Sequence, residues 1–176
     1  MNTTAFTTGF AQINQVYGQN LQMIGQKEQE MGALLLPLDA NKDGNLSEAE
    51  LGAAPKATID RVNQVNGEMQ QLQTPILLSR LYVVEQIAAQ YGTAQAAVVK
   101  AKKISVILLP EAFLYAPESA DLTQAIALEL NKLIPQAAIT PPQGWQPKRQ
   151  TVALYQEIEG WLEQSAMARQ QQGGAA

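Results

Sequence analysis

Residues 39–50 place oxygen-bearing side chains at the spacing that a hard cation requires. The run reads Asp-Ala-Asn-Lys-Asp-Gly-Asn-Leu-Ser-Glu-Ala-Glu. Calcium prefers oxygen ligands at alternate positions of such a loop, a glycine at the sharp turn and a closing glutamate that binds through both oxygens. The predicted Ca²⁺ ligands, in chain order, are Asp39, Asn41, Asp43, Asn45 through its backbone carbonyl, Ser47 directly or through a water, and Glu50.

This spacing matches the calcium loop of an EF-hand, with Gly44 at the turn and Leu46 at the apolar position that holds the loop in place. A polar turn between two helices is the alternative, because Asp, Asn, Gly and Ser favour turns in any case. A turn does not require Glu50, so calcium binding is the prediction. Because only three of the ligands are charged, the predicted affinity lies between micromolar and millimolar.

The remaining composition offers little for catalysis. The chain contains neither Cys nor His, which excludes thiol nucleophiles, serine-histidine triads and most transition-metal sites. The glutamate pairs Glu28 with Glu30 and Glu157 with Glu159 are two residues apart, which puts their side chains on different faces of a helix. The sequence therefore predicts a protein that is not an enzyme.

Neither nucleic acid nor stable insertion in a membrane is predicted. The net charge is −4 and the only cluster of cations, Lys100, Lys102 and Lys103, suits the end of a helix, where cations complement the helix dipole. No apolar run has the length of a membrane span. No signal peptide is recognisable, which predicts a mature or trimmed form.

Apolar residues recur at helical spacing on both sides of the calcium loop. They predict a long amphipathic helix from Thr8 to Leu36 and a second from Lys56 to Val99. Pro55 fits the first turn of the second helix, whereas Pro75 should kink or split it. The two helices would form an antiparallel hairpin, a tentacle with the calcium loop at its tip.

The period changes after the lysines. The apolar run 104–109, the break at Pro110 and the run 112–115 predict a β-hairpin. Asp121 predicts a cap for a helix from Leu122 to Ile134, and a proline-rich linker, 140–147, precedes an amphipathic helix from Val152 to Arg169. Residues 170–176 are predicted to be disordered.

The expected fold is therefore mostly α with a small β part. Its predicted domains are the helical hairpin at 5–100, a small β/α body at 101–148, and the C-terminal helix with its tail at 149–176.

The order of these parts resembles the Skp/OmpH family of periplasmic chaperones, over roughly residues 5–148. The segments that carry the resemblance are Tyr82-Val83-Val84-Glu85-Gln86-Ile87-Ala88, Lys102-Lys103-Ile104-Ser105-Val106-Ile107-Leu108-Leu109, Tyr115, Ala120-Asp121-Leu122-Thr123, Leu130-Asn131, and Thr140-Pro141-Pro142-Gln143-Gly144-Trp145-Gln146-Pro147. The last of these is similar to the ending of shorter alphaproteobacterial members.

The resemblance implies a homotrimer in the periplasm. In the family, a small β-rich body holds helical tentacles around a cavity that shelters unfolded outer-membrane proteins without ATP. On that basis the chain is expected to be a holdase chaperone. The resemblance does not extend to the calcium loop, but because the loop separates the two long helices, calcium is expected to set the angle and stiffness of the tentacle tip. The alternative is a calcium-dependent interaction module that exposes Leu34, Leu35 and Leu38 to one defined partner.

Overall fold

The computed structural model describes residues 3–108, 117 and 120–173, with the side chains described up to residue 168. The helices are α1 (Thr4–Val16), α2 (Gly18–Leu35), the short 3₁₀ helix η1 (Leu36–Leu38), α3 (Glu48–Ala53), α4 (Lys56–Lys102), α5 (Thr123–Leu133) and α6 (Arg149–Gly173). The prediction of a mostly α protein is confirmed.

The small β part is not found in the described residues. The first predicted strand is wrong for 104–108, because the start of this run ends α4 instead. Lys103 takes a left-handed conformation with a φ of 52°, and the N–H of Ile104 donates to the carbonyl of Val99 at 3.0 Å. This is a Schellman ending, in which the backbone closes the helix rather than pairing with a strand. The second predicted strand, 112–115, lies outside the described residues.

The chain divides into two compact units. The hairpin unit is Ile13–Leu77, and the body unit is Met1–Gln12 together with Leu78–Ala176. The sequence had placed all of residues 5–100 in one hairpin. The contacts divide this range because the beginning of α1 and the second half of α4 pack with α5 and α6 in the body unit.

In the hairpin unit, α2 and α4 are antiparallel neighbours. The Nδ2 amide of Asn20 donates to the carbonyl of Leu72 at 3.2 Å, and the ammonium group of Lys27 lies 2.5 Å from the carboxylate of Glu68. Arg61 of α4 pairs with Glu30 of α2. Apolar residues of both helices, Ile24, Val65 and Ile76, are buried in this unit.

The predicted single helix from Thr8 to Leu36 begins earlier, at Thr4, and is interrupted at Tyr17. Tyr17 has φ −99° and ψ 21°, outside the helical region, and Gly18 after it has a low helix propensity. Pro37 then tightens the end of α2 into η1. These local breaks divide the predicted single helix into α1, α2 and η1.

Pro75 does not split α4, which continues for 47 residues. Proline has no backbone N–H, so the carbonyl one turn earlier loses its helical donor. Side chains provide donors to neighbouring carbonyls: Thr74 Oγ1 donates to Gln70 at 2.6 Å, and Asn20 donates to Leu72. The predicted start of α4 is confirmed, since the carbonyl of Pro55 accepts from Thr58 and Ile59.

The body unit has two apolar clusters. The first joins α1, α4 and α6 through Phe6, Leu81, Val84 and Tyr155. The second joins the end of α4 to α5 through Ala94, Val98, Ile126 and Leu130. The predicted cap at Asp121 is wrong by one residue: the N-cap of α5 is Leu122, which makes no side-chain capping bond, and Asp121 before it accepts from the N–H of Thr123 at 2.8 Å.

Helices α1 and α4 also approach closely at Gly9. A Cβ atom at this position would lie 3.2 Å from Cγ1 of Val83. The small residue therefore sets the spacing of these two helices in the body unit.

Candidate functional site

The predicted calcium loop lies between two short helical elements. It begins immediately after η1 and ends inside α3, whose N-cap is Ser47. The exit helix α3 is only six residues long and is separated by Pro55 from α4, which begins at Lys56 as predicted; the sequence analysis did not predict α3 itself.

The early ligands of the loop point their oxygens at backbone N–H groups. Asp39 accepts from Asp43 at 3.2 Å and from Gly44 at 2.9 Å. Asn41 Oδ1 accepts from Asp43 at 2.8 Å, and Asp43 accepts from Asn45 at 2.8 Å. Lys42 and Gly44 have φ values of 59° and 79°, and these left-handed residues turn the backbone around the side-chain oxygens.

Glu50 joins the end of the loop to its beginning. Its Oε1 accepts from the N–H groups of Ala40 at 3.0 Å and Asn41 at 3.4 Å. Its Oε2 accepts from Ser47 N–H at 3.0 Å and Ser47 Oγ at 2.7 Å, and its own N–H donates to Ser47 Oγ, which completes a capping box. The bonds from the backbone and side chain of Ser47, followed by those from Asn41 and Ala40, hold the pKa of Glu50 below its usual value.

The donor chemistry of the loop fits calcium, since carboxylate, amide, hydroxyl and carbonyl oxygens are its preferred ligands. Among the described residues, however, no group of three or more His, Cys, Asp or Glu side chains is gathered as for a metal ion. The hydrogen bonds of the loop explain why these oxygens are not gathered around one point. The carboxylates of Asp39, Asp43 and Glu50 are each directed to N–H groups of the loop.

Each of the two glutamate pairs has one exposed member, Glu28 or Glu157, and one member with a side-chain partner. Glu30 is bound by Lys27 and Arg61 in the hairpin unit. Glu159 accepts from the hydroxyl of Tyr155 at 2.5 Å, while Glu157 is exposed. Burial, followed by this bond to Glu159, raises the pKa of Tyr155 to about 12.

Glu85 is a polar centre that the sequence analysis missed. Its carboxylate accepts from Trp145 Nε1 at 3.3 Å, the N–H of Lys148 at 3.1 Å and Thr151 Oγ1 at 2.7 Å. It thus ties the proline-rich linker and the start of α6 to α4. The adjacent Gln86 pairs with both the N–H and the carbonyl of Ala138. These partners lie 52 to 66 residues away in the chain, so no local pattern could have indicated them.

The comparisons with known proteins do not assign a family. No protein-family model matches the chain, and searches of curated proteins and of solved structures found no match either. In the part of the chain that the structure describes, no helix combines the length and hydropathy of a membrane span.

The charge of Glu85 is expected to contribute to acid stability. Burial acts to raise its pKa, but the hydrogen bonds from Thr151, Lys148 and Trp145 outweigh it and lower the pKa from 4.5. Because the folded state binds the proton more weakly, this contribution is complete above pH 4.5 and is lost as the pH falls through the folded-state pKa. Replacing Glu85 with Gln should cost about 2 kcal/mol at neutral pH and flatten the acid dependence in urea unfolding.

Glu163→Gln is the matched control, because Glu163 is exposed on α6 and has no hydrogen bond or ion pair within the described residues. It should leave both quantities unchanged. Equal behaviour of Glu85→Gln and Glu163→Gln would contradict the role of Glu85 as an anchor.

Proposed function

We propose that this protein is a non-enzymatic calcium-dependent interaction module. The observation that carries the proposal is the closed loop at 39–50, in which Glu50 is hydrogen-bonded to Ala40 and Asn41. The last predicted ligand is thereby held beside the first residues of the loop. The ion would be held by Asp39, Asn41, Asp43, Asn45, Ser47 and Glu50.

The electrostatics of the loop favour a bound cation. Asp39, Asp43 and Glu50 bring three negative charges into one short segment, where like charges repel one another. A divalent cation would relieve this repulsion and stabilise the folded loop by mass action. It would compete with the N–H groups that now occupy the carboxylates, so the affinity is expected to be moderate.

Apolar residues flank the loop and suit a protein partner. Leu36 of η1 is 76% exposed and Leu51 of α3 is 41% exposed, while Leu34, Leu35 and Leu38 are half-buried. Side chains of this kind on either side of a calcium loop are positioned to respond to its conformation. We therefore assign as partner an apolar or amphipathic segment of one defined protein, in agreement with groove binding by other helical calcium sensors.

Replacing Glu50 with Gln tests the calcium site. Glutamine is accepted at this position of a capping box, so the α3 cap should persist while the negative ligand is lost. The wild-type protein should gain thermal stability in millimolar calcium, and the Glu50→Gln variant should lose most of that gain. The measurement is the unfolding midpoint by circular dichroism with calcium or with a chelator.

Glu48→Gln provides the matched control, because Glu48 lies in the same first turn of α3 but is not a predicted ligand. It should keep the full calcium response. An equal calcium gain in wild type and Glu50→Gln would refute the metal site.

A second candidate is an ATP-independent periplasmic holdase for unfolded outer-membrane proteins, working as a homotrimer. The observation that favours it is the set of exposed apolar side chains in the hairpin unit, such as Val16, Leu21 and Met23, with exposures of 64%, 38% and 47%. Scattered apolar contacts of this kind suit weak and adaptable binding of unfolded chains. Calcium at the loop would then tune the tip of the tentacle.

The holdase predicts suppression of aggregation without nucleotide for several unrelated β-barrel proteins diluted from urea. The double variant Leu21→Gln, Met23→Gln should reduce this suppression at least twofold, because it removes apolar contact area. The control is Gln22→Ala, Gln26→Ala, which changes exposed polar residues of the same helix. Light scattering that is unchanged by the wild-type protein for every client would exclude the holdase.

A further inference from the structure

A large apolar cavity lies within the body unit. Its volume is about 650 Å³ and its walls come from α1, α4, α5 and α6. The floor is formed by buried residues, including Val84, Ile126 and Leu130, and the exposed residues Tyr91 and Leu154 also line it. The volume falls in the range of pockets that bind small molecules, which are mostly apolar with a few polar groups.

Few polar groups line the cavity, and they differ in charge. Thr3, Tyr91, Thr123 and Gln124 provide neutral polar groups, and Glu157 of α6 is the one charged side chain among the described residues that line it. Glu157 makes no hydrogen bond or ion pair within the described part of the chain. None of the described residues in this lining is Lys or Arg, so an anionic ligand would meet the carboxylate of Glu157 without a compensating cation from them.

We propose that this cavity binds a single-chain amphiphile whose head group is neutral or cationic. The hydrocarbon chain would lie against Val84, Ile126 and Leu130, where it leaves water. The head group would lie near Glu157, which accepts a hydrogen bond from an alcohol and attracts an ammonium group. This inference concerns the body unit and does not rest on calcium binding by the loop.

The charge of Glu157 predicts that affinity depends on the charge of the head group, which a purely apolar cavity would not predict. Because Glu157 is exposed, solvent screens its attraction, and a cationic head group should bind roughly fivefold more tightly than a neutral one of equal chain length. An anionic head group should bind more weakly than the neutral one. Apolar burial is common to all three ligands and cancels in the comparison.

The test is calorimetric titration of the full chain with decylamine, decanol and decanoate, each below its micellar concentration. The predicted order is decylamine, then decanol, then decanoate. Glu157→Gln should reduce the affinity for decylamine to that for decanol, whereas Glu163→Gln, on the same helix but outside the lining, should leave the order intact.

Filling the cavity provides the second variant. Ala88 lines the cavity from α4 and is exposed, so Ala88→Trp can add bulk there without replacing a buried core residue. This variant should bind all three ligands at least tenfold more weakly, while its circular dichroism spectrum remains that of the wild type. Absence of binding by any ligand, tighter binding of decanoate, or retention of affinity in a folded Ala88→Trp variant would overturn the proposal. If Ala88→Trp does not fold, the loss of the amine preference in Glu157→Gln decides the question.

Discussion

The architecture depends on burial of the apolar side chains of α4, since a helix of 47 residues contributes to both compact units. Helices in proteins are stabilised mainly by packing of an apolar face rather than by intrinsic propensity. In the hairpin unit α4 buries Val65 and Ile76, and in the body unit it buries Leu81, Val83, Val84, Ala94 and Val98. Without these contacts α2, α5 and α6 would lose the long helix against which they pack.

Polar contacts determine which segments lie on this helix. Lys27, Glu30, Arg61 and Glu68 form a charged network between α2 and α4. Half-buried ion pairs near the surface add little stability each, but alternating charges favour one register of the two helices over others. In the body unit, the carboxylate of Glu85 on α4 holds the proline-rich linker and the start of α6 by hydrogen bonds.

The sequence predicted those features that depend on local chemistry. The start of α4 after Pro55 follows from residues within a few positions of one another, whereas the cap predicted at Asp121 lies one residue before the N-cap of α5, and the capping box of Ser47 and Glu50 was not predicted. The predicted strand at 104–108 was wrong because a short apolar run has no helical or β period of its own, and the Schellman ending of α4 took its first residue. The anchor at Glu85 could not be predicted, since its partners are distant in the chain.

The candidate site shows the same division between local and remote information. The identities and spacing of the six predicted ligands could be taken from the sequence, and so could the turn at Gly44. The sequence did not indicate that Glu50 would be hydrogen-bonded to Ala40, Asn41 and Ser47, the bonds that a calcium ion would have to displace. The cavity of the body unit is lined by residues of α1, α4, α5 and α6, so no pattern within a single segment could predict it.

The most direct test of the calcium assignment is calorimetric titration of the metal-stripped protein with calcium, with the mass in solution measured by light scattering before and after. A calcium site at residues 39–50 should give saturable binding of one ion per chain with an affinity between micromolar and millimolar. Absence of binding up to millimolar calcium would contradict it and leave residues 39–50 as a polar turn that connects η1 to α3.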